Sequence, residues 1–147
     1  MSKRIILFIF LSFIAIGYSQ GKSCVGIYET FDDNTNEKQS KVEFYKKNGK
    51  LYAKMLHLYS FKGYPSNDPS CDKCTDDRKG KKVIGIEFVR DLNWTGSIWE
   101  GGTICNTQDG KIYKLKVWLN PNNQDELFVR VFLGPFYRTQ TWRRINN

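Results

Sequence analysis

The sequence predicts an all-β chain folded as one up-and-down antiparallel barrel of about eight strands. Three observations predict it. Apolar residues recur with a period of two along most of the chain, and no amphipathic helical stretch of useful length interrupts them. Turn signals such as Asn48-Gly49, Asp109-Gly110 and Asn120-Pro121-Asn122-Asn123 separate successive runs. Each run presents one apolar face, and consecutive strands of that kind lose their exposed edges by closing on themselves. A two-sheet sandwich with Greek-key links satisfies the same pattern and is the alternative.

Ahead of the strands, Lys3 and Arg4 precede an apolar run from Ile5 to Ile16, and Gly17-Tyr18-Ser19 supplies small residues. That is the layout of an export signal over residues 1–19. The run is well short of the ~20 apolar residues that a membrane-spanning helix needs. With cleavage after Ser19, residues 20–147 form one secreted or periplasmic domain with no integral membrane span. Lys3 and Arg4 are the only charges in the segment, so its removal lowers the net charge of the 147-residue chain from +8 to +6.

The first strand is Val25 to Phe31. Lys41 to Lys47 and Lys50 to His57 flank Asn48-Gly49, the strongest short-range hairpin signal, because a type I′ turn needs positive φ at both central positions. A two-residue loop pairs Lys47 with Lys50, Tyr45 with Tyr52, Phe44 with Ala53, Glu43 with Lys54 and Val42 with Met55. Val42, Phe44, Ala53 and Met55 then share the inner face, and parity adds His57. Residues 60–81 break the rhythm with turn formers and read as a stapled surface loop or a functional lid. Strands resume at Lys82 to Arg90, Gly96 to Ile104, Lys111 to Leu119, Glu126 to Leu133 and Tyr137 to Arg144. In the last but two, Tyr113, Leu115, Val117 and Leu119 face one way, and in the next Leu127, Val129, Val131 and Leu133 do.

Export places Cys24, Cys71, Cys74 and Cys105 where disulfides persist. Cys71-Asp72-Lys73-Cys74 lies in a loop that can close a small ring, so the expected bridges are Cys71 with Cys74 and Cys24 with Cys105. A zinc site is the weaker reading, because there is no second ligand pair, only scattered Cys24, Cys105 and His57. A reactive dithiol is weaker too, since Asp68, Asp72, Asp76 and Asp77 crowd the loop and oppose a thiolate. No metal and no cofactor is expected.

The ordered motifs Gly26-x-Tyr28, Asn48-Gly49-Lys50-Leu51-Tyr52, Cys71-x-x-Cys74, Val83-Ile84-Gly85, Trp99-x-Gly101-Gly102-x-Ile104, Asp109-Gly110-Lys111-x-Tyr113, Leu127-x-Val129-Arg130, Leu133-Gly134 and Arg138-Thr139-Gln140-x-Trp142-x-Arg144 cover almost all of the mature chain. Together they resemble the domain of unknown function 2147 family of secreted bacterial proteins. The resemblance implies a lipocalin-like barrel and export, and it brings no catalytic mechanism. It also implies a closure motif, in which Gly26 and Tyr28 of the first strand meet an arginine of the last, Arg144 or else Arg143. Tyr28 stands where lipocalins hold a Trp, and Trp142 is the candidate for the missing aromatic bulk.

The chemistry this leaves is binding. There is no nucleophile elbow and no glycine-rich phosphate loop leading into a helix. Glu87, Asp91, Glu100 and Asp109 fall near strand ends, where exposed acids are ordinary. Export argues against nucleic acid as the partner of the basic surface. The leading expectation is a non-enzymatic carrier for a small apolar or amphipathic molecule, lined by Val42, Phe44, Ala53, Met55, Tyr113, Leu115, Val117, Val129 and Val131 with His57 at the rim. An anionic envelope lipid or glycan suits the charge. The rival is an interaction module that binds an envelope protein or glycan through outer Tyr45, Tyr52, Trp118, Phe128 and Phe132 and the 60–81 loop. An unrecognised hydrolase-type activity is the third reading.

Overall fold

The structure is a computed structural model that describes residues 21–146, so the expected export signal and its expected cleavage point lie outside the described residues. Eight strands follow one another: β1 (Gly26–Phe31), β2 (Lys38–Lys47), β3 (Lys50–Leu58), β4 (Glu87–Trp94), β5 (Trp99–Cys105), β6 (Ile112–Asn120), β7 (Asn123–Leu133) and β8 (Phe136–Arg144). Every strand pairs antiparallel with its neighbour in sequence, and β8 returns to β1 through Tyr28↔Arg144 and Glu29↔Arg143. That return closes the barrel and excludes the sandwich.

The β2–β3 hairpin has the predicted register, from Lys47↔Lys50 through Tyr45↔Tyr52 and Phe44↔Ala53 to Val42↔Met55. Asn48 and Gly49 both take positive φ, 53° and 76°, as the two-residue turn requires. Beyond Met55 the pairing slips, because Lys41 faces His57 while Val42 faces Met55. Leu56 is therefore an extra residue on β3, and a bulge of this kind exchanges inside for outside along the rest of the strand. Leu58 turns inward and is buried, whereas His57 is exposed and packs edge-on against the Tyr59 ring at 4.7 Å. His57 is thus not on the inner rim, a correction that period-two counting could not anticipate.

Strand bounds also differ from expectation, most of all at β4. Residues 82–86 belong to the connection rather than to β4. Gly85 at φ 90° turns the chain there, its N–H donates to the Met55 carbonyl at 2.6 Å, and the Met55 N–H donates to the Ile86 carbonyl at 3.0 Å. The connection from β3 to β4 thus folds down along β3, with Val83 and Ile86 buried beneath it. At its other end β4 runs on to Trp94, and β5 begins at Trp99 instead of Gly96.

The two ends of the barrel differ in their connections. One end carries the tight turns β2–β3, β4–β5 and β6–β7 together with the incoming residues 21–25. The opposite end carries the β1–β2 and β5–β6 loops, the long β3–β4 connection and the β7–β8 turn. Between them the middle of the barrel is solid. Val42, Phe44, Ala53, Val89, Val117, Leu127 and Val129 are completely buried, with Leu115 nearly so.

Candidate functional site

The tight-turn end is clasped. Tyr28 is fully buried, its hydroxyl donates to the Cys24 carbonyl at 2.9 Å, and its ring meets Phe44 edge-on at 5.8 Å. The Arg144 guanidinium lies 4.9 Å over the Tyr28 ring, donates from Nη1 to the Val25 carbonyl at 2.8 Å and from Nη2 to the Ser23 carbonyl at 2.5 Å. Arg143 goes elsewhere, over Phe31 at 4.6 Å. Gly26, at φ 147°, makes room for this clasp, because a Cβ there would collide with Arg144 Nη1. Trp142 fills the floor against Phe44 at 6.0 Å and Phe88 at 6.3 Å, with its indole N–H donating to Gln140 Oε1 at 3.0 Å.

The opposite end is a cup. A cavity of about 510 Å³ opens there, within the roughly 300–1,000 Å³ usual for small-molecule sites. Its apolar wall comes from Met55, Leu58, Ile104, Tyr113, Val131 and Leu133. Its polar rim comes from the loops and from inward positions of β2 and β8, including Asp32, Asp33, Ser40, Lys62, Arg138 and Gln140. These rim groups hold one another. Arg138 pairs with Asp33, to which Gln140 Nε2 also donates at 3.1 Å, and Gln39 Nε2 donates to Asp32 at 3.2 Å. Backbone N–H groups of Thr35 and Asn34 hold the Asp32 carboxyl below its usual pKa. Tyr64, from the long connection, shares a 2.7 Å hydrogen bond with Thr107, and burial raises its phenol.

The ten residues expected to face a ligand therefore separate by depth. Met55, Tyr113 and Val131 border the cup. Val42, Phe44, Ala53, Leu115, Val117 and Val129 lie below it as packed core, and His57 is outside. The rim residues were missed by reading the apolar positions alone. Parity on β8 was the usable signal: Arg138, Gln140 and Trp142 alternate onto one face, so a buried Trp142 carries the other two inward.

A second cleft, of about 780 Å³, is bordered by Lys46, Trp94, Trp99, Trp118 and the incoming Gly21 and Lys22. Lys46, Trp99 and Leu119 continue the inward positions of β2, β5 and β6, so this cleft is the mouth of the barrel at the tight-turn end. The outer aromatics fall in two groups. Tyr45 and Tyr52 stack at 6.0 Å and are held by carboxylates, Tyr45 donating to Glu87 and Tyr52 to Asp91 at 2.7 Å, with Tyr52 buried under Lys47. Trp118 and Phe128 pair on β6 and β7, and Arg130 sits 5.1 Å from the Trp118 ring and 4.2 Å from the Tyr137 ring. The four carboxylates Glu87, Asp91, Glu100 and Asp109 are spent on surface partners: Tyr45, Lys47 and Arg90 for Glu87, Tyr52 for Asp91, Lys116 for Glu100, and the Lys111 N–H for Asp109. None of them borders the cup.

The cysteines correct one expectation. Cys71 and Cys74 are joined, but Cys24 and Cys105 are free, buried thiols. They sit at opposite ends of the barrel. Cys105 pairs with Ile112 at the start of β6, whereas Cys24 borders the outer cleft beside Leu119 near its end, a separation of roughly 20 Å at about 3.3 Å per strand residue. No bridge spans that distance. Burial pushes the Cys24 thiol up to about 11, against the opposing charge of Arg144. Cys105 is not scattered, however. The Sγ atoms of Cys71, Cys74 and Cys105 all lie within 4.8 Å of one another. With two of them bonded together, only Cys105 retains a thiol to offer a metal.

Among the described residues, no helix is long and apolar enough to cross a membrane. No curated protein matches the chain. Among solved structures it is similar to one described as protein HP1028 from the human pathogen Helicobacter pylori, of the lipocalin family, with 26% identity, a TM-score of 0.69, and 85% of this chain and 84% of that one covered. That likeness agrees with the lipocalin-like barrel, a fold consistent with small-molecule binding. The family described as uncharacterized proteins conserved in bacteria, DUF2147, matches residues 26–144. Because that match runs from the first residue of β1 to the last of β8, the chain belongs to the DUF2147 family.

Proposed function

We propose that the protein is an exported, non-enzymatic carrier that takes one small amphipathic molecule into the cup at the loop end. The observation that supports this reading is the cavity itself, coaxial with a barrel whose other end is clasped. Its depth is limited by Val42, Leu115 and Val129, so the apolar part of the ligand is short and rests on Met55, Ile104, Tyr113 and Val131. Its polar head stays at the rim, where Lys62 and Arg138 suit an anionic group such as that of an envelope lipid. The Arg138–Asp33 pair is the element such a headgroup would have to share or displace.

A fluorescent fatty-acid probe of short chain length should bind and should be displaced by unlabelled fatty acid. Native mass spectrometry of protein taken from its host's envelope should show a retained small molecule. Protein that is consistently empty and takes up no probe would overturn the reading. The rival, an interaction module, is supported by a different observation: the outer β6–β8 face holds Arg130 against the rings of Trp118 and a Tyr137 that is 59% exposed. Capture of an envelope protein or glycan that is lost in Tyr137→Ser, with no probe uptake by the cup, would favour it.

A further inference from the structure

The three-sulfur cluster beside the cup carries an inference that does not depend on what the cup holds. The Cys105 thiol, from the last residue of β5, lies 3.6 Å from Cys74 Sγ, which is already bonded to Cys71. A free thiol this close to a disulfide sulfur is within reach of its target, and because Cys105 and Cys71 Sγ are themselves within 4.8 Å, the bridge has to turn to bring the three sulfurs into line for attack. We infer that Cys71, Cys74 and Cys105 form an internal thiol–disulfide exchange site, in which the bridge moves between Cys71–Cys74 and Cys74–Cys105.

The step is redox-neutral. Cys105 gives up its proton, and its thiolate attacks Cys74 Sγ. The Cys74–Cys105 bond forms as the Cys71–Cys74 bond breaks, the bonding pair leaves with Cys71, and Cys71 takes up a proton. One disulfide is consumed and one is made, so no external oxidant or reductant takes part. The site is also prepared for the product. Cys71 Sγ lies 3.6 Å from the Thr107 carbonyl oxygen. A disulfide sulfur has no proton for that acceptor, whereas the released thiol does.

The surroundings set the pace. All three cysteines are buried, and burial raises the Cys105 thiol, with Arg78 opposing it most strongly. Arg78 is itself buried, and Arg90 acts in the same direction more weakly, while Asp76 and Asp109 work against the thiolate. Exchange is therefore slow near neutrality and quicker in alkali. Its consequence is mechanical. The local bridge closes a ring within the long connection, but the alternative ties residue 74 of that connection to the end of β5, beside Tyr64 and Thr107 at the cup's wall.

The test uses the purified, non-reduced protein carrying Cys24→Ser, so that three cysteines remain. It is held at pH 9 without denaturant, quenched in acid, labelled with a maleimide under denaturing acid conditions, and mapped by pepsin digestion. The expected result is label on both Cys71 and Cys105, and a Cys74–Cys105 peptide beside the Cys71–Cys74 one. Label confined to Cys105 would overturn the inference. As a second variant, Cys71→Ser should form the Cys74–Cys105 bridge in an oxidised glutathione buffer while keeping its β-sheet circular dichroism. Folded Cys71→Ser protein with two free thiols would overturn it as well.

Discussion

The two ends of this barrel are built from the same strands and do opposite things. At the tight-turn end Gly26, Tyr28, Phe44, Trp142 and Arg144 pack against one another, and hydrogen bonds hold the clasp: the Tyr28 hydroxyl donates to Cys24 and the two Arg144 Nη groups to Ser23 and Val25, while Arg144 Nε is buried without a hydrogen bond, 3.7 Å from an Asp125 carboxylate oxygen. At the loop end the same strands present Ser40, Met55, Tyr113, Val131 and Gln140, which are smaller, more polar or more flexible, and the space between them stays open. The difference teaches that alternation decides only which side chains point inward. Whether the interior is filled depends on their size and on what caps the end.

The largest effect that should separate the two ends is a core truncation. Phe44→Ala removes a fully buried ring that touches Tyr28 and Trp142, and it should cost about 3–5 kcal/mol in urea unfolding. Met55→Ala, which widens an existing cavity, should cost about 2 kcal/mol or less, the low end for such truncations. Equal losses would mean that the loop end is packed as tightly as the other. Next in size is the clasp. Gly26→Ala forces a Cβ into Arg144 Nη1 at a φ that side chains avoid, an expected loss of about 1–3 kcal/mol. Arg144→Lys keeps the charge but loses the planar group over Tyr28, and about 1–2 kcal/mol should follow in the same assay.

Part of the tight-turn end was legible because it rests on a local rule. Asn48-Gly49 set the β2–β3 register from Lys47 to Val42, while the match of Tyr28 with Arg144 came from the family resemblance and not from a local rule. The open end was not legible for identifiable reasons. Leu56 adds one residue to β3 and sends His57 outside, and a bulge leaves no mark in alternation. Lys82 to Ile86 alternates like a strand yet bonds down onto Met55 as part of the connection. Cys105 meets Cys74 instead of Cys24 because the long connection returns to the end of β5, a contact set by packing at 31 residues' separation.

That connection supplies the next contrast. Arg78 is buried within it, pairs with Asp76 at 2.6 Å and donates to the Glu87 carbonyl at 3.2 Å. Hydrogen bonding to Arg78 holds the Asp76 carboxyl below its usual range. The unfolded chain therefore takes up this proton first. The stabilisation is complete above the ordinary carboxylate value near pH 4 and is lost as the pH falls through the depressed folded value. Asp76 is partly exposed, which screens the pair, so Asp76→Asn should cost about 1 kcal/mol at pH 7. The gap from the parent protein should narrow below about pH 4. A gap that stays constant down to pH 3 would separate the pair from the acid response of the connection.

The smallest effect on stability should accompany the clearest effect on binding. Val131 is half-buried on the cup wall opposite Met55, and Val131→Phe adds bulk to open space rather than to packed core. Overpacking in a filled interior costs about 1–3 kcal/mol, but here the ring has the cavity to enter, so the urea midpoint should hardly move. Uptake of the fatty-acid probe should fall about tenfold, equivalent to about 1.4 kcal/mol of binding free energy. The matching change in the packed middle of the barrel, Val129→Phe, meets a side chain with no free surface and should instead unfold more easily. If Val131→Phe destabilised the protein as Val129→Phe does, the cup would be filled in solution. If it left probe uptake unchanged, the probe would be binding outside the cup, for which the tryptophan-lined cleft beyond the clasp is the alternative place.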